Sequence, residues 1–77
     1  MKVKDAEELR FRILALTQDF EYEYMGRYGS IIPINHHDIS VSFEEDNYDF
    51  DNIDDALNAK IIMGKSLNEI ADKITFI

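Results

Sequence analysis

Residues 38–51 read DISVSFEEDNYDFD, in which apolar and polar residues alternate on both sides of a polar break. Ile39, Val41 and Phe43 occupy every second position of the first half, which is the period of a strand that buries one face. Tyr48 and Phe50 resume the alternation after residues 45–47, whose polar side chains predict a turn. We therefore predict an antiparallel hairpin over this segment.

The chain before this hairpin is predicted to contain a turn, an edge strand and a helix. Residues 35–38 predict the turn, and residues 31–34 predict a third strand at the sheet edge, where Pro33 is tolerated. Residues 5–25 predict one long helix of roughly 30 Å, ended by Gly26. Its apolar stripe has members three or four positions apart: Ala6, Leu9, Ile13, Leu16, Phe20 and Tyr24.

The chain after the hairpin predicts two short helices. Asp51 or Asn52 can cap the first, which is expected to reach about Ile62. Ser66 and Glu69 have the spacing of a capping box that starts the second. The predicted fold is one α+β domain over residues 1–77: a long N-terminal helix packed on a small antiparallel sheet of two or three strands, followed by two short C-terminal helices.

Negative charge is concentrated in the middle of the chain. The formal net charge is −8, and no lysine or arginine occurs between Arg27 and Lys60. This excess of negative charge opposes direct binding to nucleic acid phosphates and to anionic membrane surfaces. It favours a protein partner with a basic surface.

We accordingly predict a non-enzymatic protein-binding module, with tyrosines near the end of the first helix as apolar contacts. The predicted partner-binding residues are Glu44, Glu45, Asp46, Asp49, Asp51, Asp54, Asp55, Tyr24 and Tyr28. The alternative is an inhibitor that mimics nucleic acid and blocks a nuclease or DNA-binding protein. The predicted order of helix, hairpin, helix and helix is similar, at a coarse level, to some small acidic phage inhibitors of RNA-guided nucleases. That resemblance implies the alternative function.

The residues predict no cofactor, no metal and no catalytic group. The chain has no cysteine, and the acidic segment lacks the carboxylate that a calcium-binding loop needs at its twelfth position. His36 and His37 are adjacent, so in extended chain they point to opposite sides and make poor joint ligands. We interpret them as turn residues.

Two further expectations concern location and assembly. No stretch has the roughly 20 apolar residues of a membrane span, no leader sequence is recognisable, and the absence of cysteine suits a reducing compartment. We expect a cytoplasmic protein without a membrane partner. We interpret the stripe of the predicted long helix as core. It also fits a heptad seam, so a homodimer is the alternative.

Overall fold

The computed structural model describes residues 2–15 and 18–77, which form an antiparallel sheet with helices on one side. The elements in chain order are α1 (Ala6–Leu14), β1 (Phe20–Tyr24), β2 (Arg27–Asn35), β3 (Asp38–Phe43), β4 (Asp46–Phe50), α2 (Ile53–Asn58), α3 (Leu67–Ile70) and β5 (Thr75–Phe76). The five strands lie in the order β4-β3-β2-β1-β5. The α+β class is confirmed.

The predicted long helix and the predicted sheet of two or three strands are wrong. Helix α1 has nine residues, and Phe20–Tyr24 form a strand that pairs with β2 and β5. Phe20, Tyr22 and Tyr24 are all buried in the core, whereas a helix would turn Tyr22 away from the other two. Aromatic side chains at every second position favour a strand, and this period prevails over the helical spacing. Leu16, a member of the predicted stripe, lies outside the described residues.

Local side-chain contacts fix where α1 begins. The Asp5 carboxylate accepts a hydrogen bond of 2.9 Å from the backbone N–H of Glu8, as expected for a helix N-cap. Glu8 and Arg12, four positions apart on α1, form an ion pair at 3.2 Å. Arg27, at the start of β2, pairs with Glu44 at 2.5 Å.

The β1–β2 connection is a tight hairpin turn rather than a helix end. Its central residues, Met25 and Gly26, have φ angles of 51° and 78°. Positive φ at both positions is the signature of a type I′ turn, whose twist matches that of the two strands. Gly26 is therefore a turn glycine.

The predicted β3–β4 hairpin is confirmed, with its turn one residue earlier than expected. Phe43 pairs with Asp46, so Glu44 and Glu45 form the turn. Asn47 already belongs to the returning strand. The predicted turn before β3 is also confirmed, since Asn35 pairs with Asp38.

The C-terminal third contains the two predicted helices and one strand that was not predicted. Asn52 caps α2, which ends at Asn58 rather than near Ile62. Ser66 and Glu69 form the predicted capping box at α3. Strand β5 follows and pairs with β1. With two residues, it is too short to give an alternating pattern in the sequence.

The capping box carries an additional ion pair. The Glu69 carboxylate accepts hydrogen bonds from Lys60 Nζ at 2.7 Å and from the Ser66 backbone N–H at 3.0 Å. The hydrogen bond from Lys60 is the main reason why the pKa of Glu69 falls to about 2, and the Ser66 N–H adds to the effect. These contacts tie the loop after α2 to the start of α3.

The register of the strands gives the sheet two different faces. The inner face turns its apolar side chains toward the three helices, and it pairs Phe20 with Ile31 and Ile31 with Val41. Nineteen buried apolar residues form the core of the described residues. They come from both layers and include Leu9 and Ile13 of α1, Leu57 of α2 and Ile70 of α3. None of the three helices in residues 2–15 and 18–77 lies on the opposite, outer face of the sheet.

Gly29 allows the most buried tyrosine to sit beneath the sheet. Tyr22 is fully buried, and its hydroxyl donates a 2.8 Å hydrogen bond to the backbone carbonyl of Ser42. A Cβ atom at Gly29 would lie 2.5 Å from the Tyr22 hydroxyl oxygen, which is closer than real Cβ contacts. The same Cβ would come still closer to the backbone carbonyl oxygen of Ser42, so glycine is required here by the close approach of Tyr22 and Ser42, not by its own backbone angles.

Candidate functional site

The outer sheet face is a surface that the three described helices leave uncovered. Successive side chains of a strand point to opposite faces of the sheet, so the outer face carries the side chains that alternate with the core residues. On β1 and β2 this face is formed by two cross-strand pairs, Glu21 with Ser30 and Glu23 with Tyr28. Its members are Glu21, Glu23, Tyr28, Ser30, Ile32, Asp38, Ser40, Ser42, Asn47, Asp49, Thr75 and Ile77.

This face carries carboxylates and no cation. Its four acidic residues are Glu21, Glu23, Asp38 and Asp49. The basic residues lie elsewhere: before or on α1, at the start of β2, in the loop between α2 and α3, and after α3. The outer sheet face therefore contributes four of the eight net negative charges, and the cations of the chain all lie away from it.

Hydroxyl groups occupy the centre of the outer sheet face. The Ser30 and Ser42 hydroxyl oxygens lie 2.7 Å apart, and the Ser40 hydroxyl donates a 2.8 Å hydrogen bond to Asp49. Because these side chains are short, they leave the middle of the face flat. Tyr28 and Ile32 stand on β2 at either side of Ser30, so apolar side chains flank the hydroxyl row.

A shallow depression of about 390 Å³ lies over β1, β2 and the end of β5. It is lined by Glu21, Tyr28, Gly29, Ser30 and Ile77. Tyr28 is 60% exposed and Ile77 is 73% exposed. Among residues 2–15 and 18–77, no side chain forms an ion pair or hydrogen bond with the Glu21 carboxylate. The depression thus combines open apolar walls with a carboxylate that has no protein partner there.

The nine predicted site residues do not form one surface. Asp49 and Tyr28 lie on the outer sheet face, whereas Tyr24 belongs to the core at 7% exposure. Asp46 faces the helix side, since it pairs with the core residue Phe43. The β3–β4 turn holds Glu44 and Glu45, and the beginning of α2 holds Asp51, Asp54 and Asp55. The predicted acidic residues therefore occupy several sides of the molecule.

Two of the predicted acidic residues are paired with the protein's own arginines. Glu44 contacts Arg27 at 2.5 Å, and Asp54 contacts Arg10. The hydrogen bond from Arg10 holds the pKa of the Asp54 carboxyl below its usual value. Within the part of the chain that the structure describes, the other five form no ion pair: Glu45, Asp46, Asp49, Asp51 and Asp55.

Sequence reasoning missed Glu21 and Glu23 because it assigned them to a helix. In the predicted helix over residues 5–25 they would have shared the element with Arg10 and Arg12. In strand β1 they point to the outer sheet face. The alternation Phe20-Glu21-Tyr22-Glu23-Tyr24 was the signal that could have found them.

The two histidines lie at the β2–β3 turn. His36 donates from Nε2 to the backbone carbonyl of Leu14 at 3.1 Å, which satisfies a carbonyl group at the end of α1. The His37 backbone N–H donates to the Asn35 side chain at 2.7 Å. Over residues 2–15 and 18–77, no group of three or more potential ligands is placed to hold a metal ion.

Comparisons with known proteins yield no relative for this chain. No family model matches it, and no characterised protein or solved structure matches it significantly. None of the described helices is long and apolar enough to cross a membrane. The similarity to phage inhibitors rested on an element order that the structure does not have, so it carries no further argument.

Proposed function

We propose that the protein is a small non-enzymatic domain that binds a basic surface of another protein through its outer sheet face. The observation that carries the proposal is the composition of that face, which has carboxylates, hydroxyl groups and exposed apolar side chains but no cation. Complementary charge speeds encounter and selects partners, and apolar contact at Tyr28 and Ile32 would hold the complex.

The charges on this face bear on which partners it favours. A second copy that packed face to face would bring two sets of carboxylates together, and like charges in an interface are costly. The long helix that motivated self-association is absent, since α1 has nine residues. The proposal therefore names a different protein with a positive surface as the partner. A cytoplasmic location remains part of it, on the ground that the chain lacks cysteine.

Mimicry of nucleic acid has less support. It requires a continuous series of carboxylates that replaces a phosphate backbone. The acidic residues of segment 38–55 are divided between the outer sheet face, the helix side, the β3–β4 turn and the start of α2. Two of them, Glu44 and Asp54, are already neutralised by arginines.

The test compares two double variants with equal changes in net charge. Glu21→Gln/Glu23→Gln removes charge from the outer sheet face, and Glu7→Gln/Asp72→Asn removes it from the helix side. Binding of a fluorescent oligolysine peptide is measured by anisotropy at low and high salt. We expect the first variant to lose about three- to tenfold in affinity, because each surface charge contributes a few tenths to about 1 kcal/mol.

The control variant is expected to lose less than about twofold. Salt should weaken binding of the wild type, since the contacts are exposed to solvent. Equal losses in the two variants would mean that only net charge matters, and the assignment of binding to the outer sheet face would then be wrong.

A further inference from the structure

The depression on the outer sheet face has two kinds of wall. The apolar kind consists of the ring of Tyr28, which is 60% exposed, and the side chain of Ile77, which is 73% exposed. The polar part of the lining is the Glu21 carboxylate and Ser30. Glu23 stands directly across from Tyr28 on the neighbouring strand, so a second carboxylate adjoins the ring.

This combination matches the chemistry of an arginine side chain. A guanidinium group is planar, stacks on aromatic rings and forms paired hydrogen bonds with a carboxylate. Its alkyl stem needs apolar surface, which Ile77 and the edge of Tyr28 offer. A lysine ammonium carries the same charge but has no plane to stack and holds its hydration more strongly.

We propose that the depression is a binding slot for one arginine side chain of the partner protein, stacked on Tyr28 with its charge at Glu21. This inference rests on the proposed function, because it names the residue type by which a basic partner is anchored at the outer sheet face.

The chain's own arginines are poor candidates for the slot of a second copy. Each is engaged within the described part of the structure: Arg10 with Asp54, Arg12 with Glu8 and Arg27 with Glu44. Insertion into a neighbouring copy would require one of these ion pairs to break. The occupant is therefore an arginine of a different protein.

The experiment is an NMR titration of the ¹⁵N-labelled protein with three blocked tripeptides: Gly-Arg-Gly, Gly-Lys-Gly and Gly-citrulline-Gly. Citrulline has almost the shape of arginine but no charge. We expect the arginine peptide to shift the amide signals of Glu21, Tyr28, Ser30 and Ile77 in a saturable manner. The lysine peptide should bind more weakly, and the citrulline peptide should leave these signals in place.

Variants test the two walls separately. Tyr28→Leu and Glu21→Gln should each weaken arginine binding about two- to fivefold, which is the effect expected of an exposed cation–π contact or a surface ion pair. Tyr48→Leu is the matched control, because Tyr48 is a partly exposed tyrosine on strand β4, away from the slot. It should not change binding. Circular dichroism and melting curves establish that the variants are folded.

The outcomes separate this inference from the function on which it rests. Equal shifts with the arginine and citrulline peptides, equal affinity for arginine and lysine, or shifts centred away from the slot would each overturn the arginine slot. If the slot fails while oligolysine still binds the outer sheet face, the proposed function stands. If oligolysine binding does not depend on that face, the proposed function itself is wrong.

Discussion

At the scale of single residues, Tyr22 and Gly29 connect the core to the proposed binding surface. Tyr22 passes beneath Gly29 and donates to the Ser42 carbonyl. The backbone N–H of Ser30 donates to the Ser42 hydroxyl at 3.0 Å, and the two serine hydroxyl groups meet on the outer sheet face. One buried phenol and one glycine thus support the flat centre of that face.

Because the Tyr22 phenol is buried, the free energy of unfolding depends on pH in the alkaline range. Burial raises the pKa of Tyr22 above its ordinary value near 10. The unfolded chain ionises first as pH rises, so this contribution to the free energy of unfolding is complete below about pH 10 and declines above it. We expect a decline of about 1.4 kcal/mol per pH unit from this group.

Urea denaturation of the wild type and of Tyr22→Phe measures this effect. The variant should be less stable at neutral pH by about 1 kcal/mol, because it lacks the hydrogen bond to Ser42. Above about pH 10 the difference between the two proteins should shrink, since only the wild type has the phenol. A constant difference across the alkaline range would contradict the burial of a neutral Tyr22.

At the scale of elements, the polar start signals of α2 and α3 and the alternating segments of β3 and β4 were predicted correctly. The segment at residues 20–24 was assigned the wrong type, because its alternation competes with a helical stripe. Ser66 with Glu69 and the cap at Asn52 appear where the sequence indicated, because a cap depends on residues three positions apart. The segment 20–24 satisfies both a helical and a strand period, and its partners in β2 and β5 decide between them. Such long-range pairing cannot be deduced from a local pattern.

The β1–β2 turn offers a direct test of the corrected element. Met25 adopts a φ of 51°, which costs an ordinary side chain energy and which asparagine tolerates better. Met25→Asn is therefore expected to raise the free energy of unfolding by up to about 1 kcal/mol. In a helix over residues 5–25 the same change would lower it, because asparagine is a poorer helix former than methionine.

A second turn of the same composition provides the control. Met63 and Gly64 have φ angles of 53° and 79° and connect the bridged residues Ile62 and Lys65. Met63→Asn should be stabilising for the same reason. Denaturation curves of both variants check the two turns, and a loss of stability in Met25→Asn alone would contradict the hairpin.

At the scale of the whole molecule, the sheet separates the cations from an anionic face. The acidic excess of the chain was evident from its sequence, and Asp49 and Tyr28, two of the predicted partner-binding residues, are exposed. The grouping of Asp49 with Glu21 and Glu23 was not evident, because they are far apart in the chain and meet only through the register of four strands. A charge count along the sequence cannot show to which side of a sheet each carboxylate points.

The same geometry changes the role that we infer for the carboxylates of the acidic middle segment. Its carboxylates at the β3–β4 turn and at α2 serve partly to anchor the protein's own arginines, as Glu44 and Asp54 do. Within the described part of the chain, those on the outer sheet face pair with no arginine, and Asp49 accepts a hydrogen bond from the Ser40 hydroxyl. The outer sheet face therefore holds four carboxylates without a cation, whereas Glu45, Asp51 and Asp55 leave further negative charge at the β3–β4 turn and the start of α2.

The most direct test of this account is to map oligolysine binding onto the protein by NMR. Amide signals of the ¹⁵N-labelled chain are followed through a titration at low salt. We predict that the shifted signals belong to the outer sheet face, with Glu21, Tyr28, Ser30, Ser42 and Asp49 among them, and that α1 and α3 are unaffected. Shifts spread over all exposed carboxylates, or confined to residues 51–55 at the start of α2, would contradict it.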